Sequence, residues 1–599
     1  MTTSIAPLIV VGVLFFVFVF IVSEFQGKGN INAKRKIAGD RQHGDSRWAT
    51  EAEMRKKYEI ITYEPDKWRK GENLPRNIGI IIHSEVFARK RLAYVETDDV
   101  HTLMKAASGS GKTAYFLYPN IEYACACGAS FITTDTKGDL YRNYGTIAEK
   151  YYGYKSTIID LRNPTRSHGD NMLHLVNLYM DRYIKNPDDI SSKARAEKQA
   201  KVVAKSIIKN GAGDNYGANS YFYDSAEGLI ASVLILLAEF AKPEERHIVS
   251  AFKLIQDLMQ PSSVKGKTRL QVMLDLLPEE HMARMLAGSA LYTAEQAMLS
   301  VTSTALSRLN AFLDSEIQQI LCFDTEVDLS KIGEGKQAIF LVMPEEDNTK
   351  YFLISLMLVQ MYEEVLATAD ALGGKLQKRV LFFLDEIGTI EKIETLPMML
   401  SAGRSRNVLF VPIIQNSSQL KAKYGPDQAE NIEDNCKNKI RGGFPADSAD
   451  IKSYSESLGT QTVTVKSVTK SKEGVTETTS TMAVPLMSEN EILMMGKNEF
   501  IVKTNAIPPI RAKLDLFLDW GITFEEPYTI PDKGARKVHY ANKDSVEEAI
   551  IRKYQACVVD EGMHDVIGSA SKSMKGGGEQ IVLEIEPDWG VSKKYPKVF

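Results

Sequence analysis

Cysteine is scarce in this chain, with Cys125, Cys127, Cys322, Cys436 and Cys557 the only five in 599 residues. None has metal-ligand spacing, and Cys125-Ala126-Cys127 is one residue short of the usual redox pair. So few thiols suit a reducing compartment, where each acts as a small buried hydrophobe. An excess of positive charge is also missing. The formal net charge is -4, so no general basic field marks a nucleic-acid binder, and any such contact must come from a local surface. No low-complexity tract dominates, and 44% hydrophobic with 25% charged residues is the composition of a folded protein. The length accommodates two or three domains.

Charge is absent altogether from Met1 to Ser23, where Ile5–Val22 reads IAPLIVVGVLFFVFVFIV. As a helix this stretch spans about 34 Å, enough to cross a hydrocarbon core of about 30 Å. It lacks the basic leader and small-residue cleavage site of a secretory signal, which points to a retained anchor. Lys28, Lys34, Arg35, Lys36 and Arg41 follow at once. The positive-inside rule then places the bulk of the chain in the cytoplasm, behind a single pass of the inner (cytoplasmic) membrane. No other segment is expected to be long and apolar enough to span.

The remaining pattern divides the chain into a transmembrane anchor (1–27), a basic cytoplasmic connector (28–75) and an α/β domain in two parts (76–175 and 321–526), whose motifs Ala106–Thr113 and Leu381–Glu386 mark it as the nucleotide-binding domain. An all-α domain (176–320) interrupts that domain, and a C-terminal tail (527–599) follows it. Buried-strand runs at Ala129–Thr134, Ser156–Leu161, Ala338–Val342, Val380–Leu384 and Val408–Ile414 alternate with helical stretches, which predicts an α/β fold with a parallel sheet. Between them, Ser192–Lys209, Ser225–Phe240, Ser250–Gln260 and Pro278–Leu286 carry helical patterns and strand signals nearly vanish. Thr460–Val468 and Gly474–Thr481 resemble a Thr-rich hairpin. In the tail, Ser545 and Glu548 have capping-box spacing for a helix over Ser545–Gln555. Lys575-Gly576-Gly577-Gly578 reads as a flexible joint, and the segment from Pro527 as a partner-docking extension outside the two-part domain.

Two motifs carry chemistry. Ala106-Ala107-Ser108-Gly109-Ser110-Gly111-Lys112-Thr113 fits the phosphate-binding loop, with Ala106 in place of the usual first glycine. Its glycines let backbone N–H groups turn toward one anion, Lys112 would reach the β- and γ-phosphates of ATP, and the Thr113 hydroxyl would ligate Mg²⁺. Downstream, Leu381-Phe382-Phe383-Leu384-Asp385-Glu386 is an apolar strand ending in two carboxylates. In a parallel sheet, strand C-termini converge on the phosphate site. Asp385 would there join the Mg²⁺ shell and Glu386 would polarise the attacking water. Asp135 and Lys137 fit either a salt-bridged strand end or a catalytic role.

From Gly44 to Phe517 the sequence resembles the conjugative type IV secretion coupling proteins. The resemblance is carried in order by Gly44-Asp45-Ser46-Arg47-Trp48-Ala49-Thr50, GSGKT, Thr134–Tyr141, the helical insertion, Leu384–Ile390, Ala402–Arg406, Ile414-Gln415-Asn416 and Pro508–Arg511. It implies a RecA-like P-loop ATPase working as a homo-hexameric ring. It also implies recruitment of relaxase-bound single-stranded DNA to the channel components of the secretion system. By position, Arg404 resembles the finger that reaches a neighbour's nucleotide, and Gln415 the γ-phosphate sensor. Family members usually have two or more membrane spans, whereas this sequence offers one. Pro412 falls inside an apparent core strand, which predicts an edge position or a bulge. Asn215–Phe222 could stack on single-stranded bases or be ordinary core. Two alternatives stay open: a double-stranded DNA translocase of the chromosome-segregation type, and a membrane scaffold without catalysis.

Overall fold

The computed structural model describes residues 36–37, 42–209, 220–345, 347–445, 450–471 and 474–554. The expected anchor, Cys557, the Gly-rich joint and residues 215–219 lie outside that set. The chain forms two compact units. One holds the described residues up to Met172 and Asp314–Lys537, and the other holds 173–208, 220–313 and 538–554.

The first unit is built on nine strands. They are β1 (Thr102–Ala106), β2 (Ser130–Asp135), β3 (Lys155–Asp160), β4 (Gln337–Val342), β5 (Val380–Leu384), β6 (Val408–Ile414), β7 (Asn438–Gly442), β8 (Glu499–Lys503) and β9 (Ile510–Lys513). Their order across the sheet is β9-β8-β7-β1-β6-β5-β2-β4-β3. Strands β1 to β7 run parallel, and β8 and β9 add an antiparallel edge. Parallel strands are covered on both faces, so they read as unbroken apolar runs. Every residue of β5 and β6 is buried accordingly.

Pro412 corrects one expectation. It lies in β6, between β1 and β5, in register with Leu384 and with no bulge. The Phe410 N–H, on the same side of β6 by the two-residue period, donates to His101 Nδ1 at 3.0 Å. Pairing of β6 with β1 begins only at Ile413. The missing proline donor therefore falls where no ladder bond to β1 has started.

A three-stranded antiparallel sheet (Glu59–Thr62, Lys90–Glu96, Ile80–Phe87) packs into the same core, and Thr460–Ser471 and Gly474–Pro485 form a separate hairpin. The connector adds to that hairpin as a third strand at Lys36–Ile37 and bridges it again at Asp45. Within Gly44–Thr50, the Ser46 N–H donates to Thr460 O, Trp48 packs against the cluster around Tyr454, and Thr50 caps Glu51–Lys57 through a capping box. The motif thus ties the connector down.

The second unit is built from helices. Ser220–Phe240 lies at its centre, packed against His174–Lys185, Ile248–Leu258, Met282–Leu291 and Glu295–Leu309. Contrary to expectation, Ser220–Phe240 and Asn348–Ala371 are long and apolar enough to cross a membrane, but 67% and 61% of their apolar windows are buried inside the fold. Both are core helices.

The expected tail also starts too early at 527. Tyr528 donates to Glu149, and Arg536 bonds Gln319, so 527–537 lies on the first unit. Residues 538–554 join the helical unit: the Ala541 N–H donates to Ser250 Oγ, and Lys553 donates to Glu239. The helix spans 543–554 and its cap is Asn542, whose Oδ1 accepts from the Asp544 N–H at 2.8 Å, three residues before the expected Ser545.

Candidate active site

Strand β1 ends at Ala106 and the chain turns through Ala107–Lys112 into a helix whose first turn, Thr113–Leu117, is a wide π turn before Tyr118–Cys127. Gly109 and Gly111 have φ of 74° and 83°, the left-handed backbone that lets successive N–H groups face one side. A Cβ on Gly109 would meet nothing within 4 Å, so its constraint is conformational. The loop is braced from within, Ser110 Oγ donating to Ala107 O at 2.6 Å. It is also braced from the side, where the Ala107 N–H donates to Gly443 O at 3.0 Å.

Strand β5 delivers Asp385 and Glu386 to the same rim. Thr134, at the end of neighbouring β2, holds the Asp385 carbonyl at 2.7 Å. Asp385 is buried, and its Oδ1 has no hydrogen-bond partner among the described residues. Burial, reinforced by the Glu386 charge and opposed by Lys112, pushes its carboxyl up to about 7. Glu386 takes the left-handed region at φ 52°, rare for a non-glycine residue and typical of functional turns. Its two oxygens accept from Lys112 Nζ and from Gln415 Nε2, each at 3.0 Å. Lys112 also donates to Ala106 O at 3.0 Å.

Ser108, Gly109, Gly111, Lys112, Thr113, Asp385, Glu386 and Gln415 line one cavity of about 550 Å³. Ser110 is turned into the loop instead. Glu345 and Tyr351 share this cavity and were missed by sequence reading. Their signal was available, because both follow the C-terminal end of β4 and so lie on the same rim.

Asp135 also lines this cavity, and it forms no salt bridge among the described residues. Its carboxylate accepts the N–H groups of Gly138, Leu140 and Tyr141 and so fixes the start of Asp139–Tyr152, while burial raises it to about 6. Lys137 is exposed at the cavity mouth.

Arg404 is not among the cavity residues. It lies in the turn Arg404–Arg406, just before β6, beside His101 at the opposite end of β1. The seven residues of β6 separate that turn from Gln415 by about 23 Å. Arg406 pairs with Asp370 at 2.9 Å, whereas Arg404 has no ion pair among the described residues and its Nε is buried without a partner.

The sheet order, the loop after β1 and the paired carboxylates after β5 define a RecA-like P-loop protein. Residues 36–543 match the family model for type IV secretory system conjugative DNA transfer, and the chain belongs to that family. It is 24% identical over 327 residues to the type IV secretion system-coupling protein VirD4 of Bartonella quintana, covering 53% of this chain and 49% of that protein. VirD4 of Bartonella henselae gives the same identity and coverage. The chain thus spans about half the length of these curated relatives. A probable conjugal transfer protein TraG of Sinorhizobium fredii is 29% identical over 142 residues, 23% of this chain and 22% of that protein. Among solved structures, the unbound bacterial conjugative coupling protein TrwBΔN70 superposes with a TM-score of 0.53 at 16% identity, covering 81% of this chain and 96% of that one. The plasmid coupling protein TrwB in complex with ADP and Mg²⁺ gives 0.52 at 14% identity, covering 82% and 98%. These likenesses are likenesses of fold.

Proposed function

We propose that this chain is a membrane-anchored P-loop ATPase that couples relaxase-bound single-stranded DNA to a type IV secretion channel, acting as a homo-hexamer. The observation that carries this reading is the meeting of Lys112, Thr113, Asp385, Glu386 and Gln415 around one cavity, in a chain of the conjugative DNA-transfer family. The anchor is the uncharged Met1–Ser23 run.

Thr113 and Asp385 would hold Mg²⁺. The buried, unpartnered Asp385 Oδ1 fits that role, since a bound cation would offset the burial that now favours its protonated form. Mg²⁺ would supply charge neutralisation on the phosphate oxygens. The chain's own groups do the rest. Lys112 exchanges the Glu386 carboxylate for phosphate oxygens when a triphosphate enters. Glu386, then held only through Gln415, accepts the proton of the attacking water, and the Gln415 amide orients that water.

The test is ATP turnover by the purified full-length protein in detergent, with and without oligonucleotides. Stimulation by single strands supports the reading. Stimulation by duplex alone favours a chromosome-segregation type of translocase, and no turnover at all favours a scaffold.

A further inference from the structure

Beside the phosphate loop lies a second cavity, of about 490 Å³, that the proposed chemistry does not use. Lys105, one residue before the loop, is paired in register with Arg441 of β7, and both line it. Lys421, Lys437, Lys439 and Lys503 complete a ring of six cations against three carboxylates, an excess of three positive charges in a chain whose net charge is -4.

The three carboxylates are already engaged. Glu433 holds Lys105 at 2.6 Å, Asp434 holds Lys439 at 3.2 Å and Asp450 holds Arg441 at 3.1 Å. Lys421, Lys437 and Lys503 have no carboxylate partner among the described residues. Lys503 Nζ donates instead to Ser457 O at 2.9 Å. Burial, then the Lys439 charge, lowers the pKa of Lys503, and burial likewise lowers that of Lys105, where Glu433 opposes it. Bringing an anion into this ring would relieve the repulsion among its cations.

We infer that this cavity binds the phosphodiester backbone of single-stranded nucleic acid, a site distinct from the nucleotide cavity. This rests on the proposed function for the identity of the strand. The lining favours backbone over base or free nucleotide. It offers ammonium groups and the Ser417 and Ser453 hydroxyls, which contact phosphate without regard to sequence. The one aromatic wall, Tyr454, already has the Arg441 guanidinium 4.4 Å from its ring centroid, so that ring face is not free to stack a base. Contact with the strand also has a short route to hydrolysis. Lys105 and Arg441 lie within two residues of Ala107 and Gly443, whose backbones are hydrogen-bonded to each other at the foot of the phosphate loop.

The test is fluorescence anisotropy of a labelled oligo-dT on the full-length protein in detergent, over a series of KCl concentrations, with ADP bound. Each phosphate contact contributes about 0.7 to the slope of log K against log salt for single strands. A Lys421→Gln/Lys437→Gln/Lys503→Gln variant is therefore expected to show a slope shallower by about 2, with ADP affinity and basal ATP turnover unchanged. An unchanged slope in a variant that melts like the wild type overturns the inference. Should the triple variant fail to fold, Lys437→Glu at its exposed position must still weaken oligo-dT binding several-fold at low salt, or the inference falls. A third arm uses inorganic phosphate at matched ionic strength. If phosphate protects the wild type but not the variant against melting, while the oligonucleotide slope is the same in both, the cavity takes free phosphate and the strand assignment is wrong. Because binding is read without hydrolysis, absence of ATP turnover would overturn the proposed function and leave this inference standing.

Discussion

Asp385 and Glu386 are adjacent in sequence and meet opposite surroundings. Asp385 is buried with a free oxygen and a carboxyl raised to about 7, while Glu386 is held between Lys112 and Gln415. Lys112→Ala removes the cation that links loop and carboxylate but touches little packing, since among the described residues its ammonium bonds only Ala106 O and Glu386. ATP turnover is expected to fall by at least about a hundredfold, with melting changed by only a few degrees. Turnover at the wild-type level would remove Lys112 from the site. His101 gives a pH prediction. Its Nε2 meets Leu400 O at 2.6 Å, and its Nδ1 accepts the Phe410 N–H, a role open only to the neutral ring. Burial, aided by the nearby Arg404 charge, lowers it to about 4. The unfolded chain therefore binds the proton more tightly, so the stabilisation is complete above about pH 6.5 and is lost as pH falls toward 4. Between pH 7 and pH 5 this group alone contributes a loss of about 2 kcal/mol. His101→Gln should flatten that part of the curve in denaturation at the two pH values, and an identical pH dependence in both proteins would refute the assignment.

At the scale of elements, legibility followed burial. Strands β5 and β6 match their sequence runs residue for residue, because a strand covered on both faces is apolar throughout and sharply bounded. The phosphate loop was legible because its glycine spacing is local. What stayed hidden depends on distant partners. Trp48 and the connector find theirs more than four hundred residues away, and Pro412 is tolerated in a central strand only because the neighbouring strand starts to pair one residue later. Ser225–Phe240 was read as a helix of the all-α domain, but composition alone does not separate such a core helix from a membrane span. The tail was misread for a related reason: its hydrophobic density is low, yet Ala541, Val546 and Ile550 are buried in the helical unit. Deleting 538–599 is therefore expected to cost about 3–6 kcal/mol of helical-unit stability, at the usual loss per buried aliphatic side chain. Deleting 555–599 leaves those contacts in place. Hydrogen exchange across Ser220–Phe240 and Ile248–Leu258 distinguishes the two, and equal protection in both truncations would show that 538–554 is dispensable to the unit.

For the whole molecule, the decisive question is whether one chain holds a complete site. Lys112, Asp385, Glu386 and Gln415 line a single cavity at the C-terminal rim of the sheet, and Arg404 is at the other end of β6. A guanidinium about 23 Å along the strand from Gln415 cannot touch phosphates bound in its own subunit's loop. Its surroundings do not explain it as a structural ion pair either, since Arg406 takes Asp370 and Arg404 pairs with no carboxylate among the described residues. On the proposed hexameric reading it completes a neighbour's site, a role that contributes about 10³–10⁵ in rate where it has been measured. Arg404→Ala is then expected to bind nucleotide normally and hydrolyse it poorly. Glu386→Gln subunits keep the finger and lack the base, so they are inactive alone for the opposite reason. Co-assembling the two variants restores interfaces that pair an intact Glu386 with a neighbour's intact Arg404, and turnover should recover to a measurable fraction of wild type, rising with the proportion of mixed rings. A single chain that used its own Arg404 would gain nothing from mixing. Recovery therefore places the arginine across a subunit boundary, and a flat response in rings shown to be mixed would return it to its own subunit.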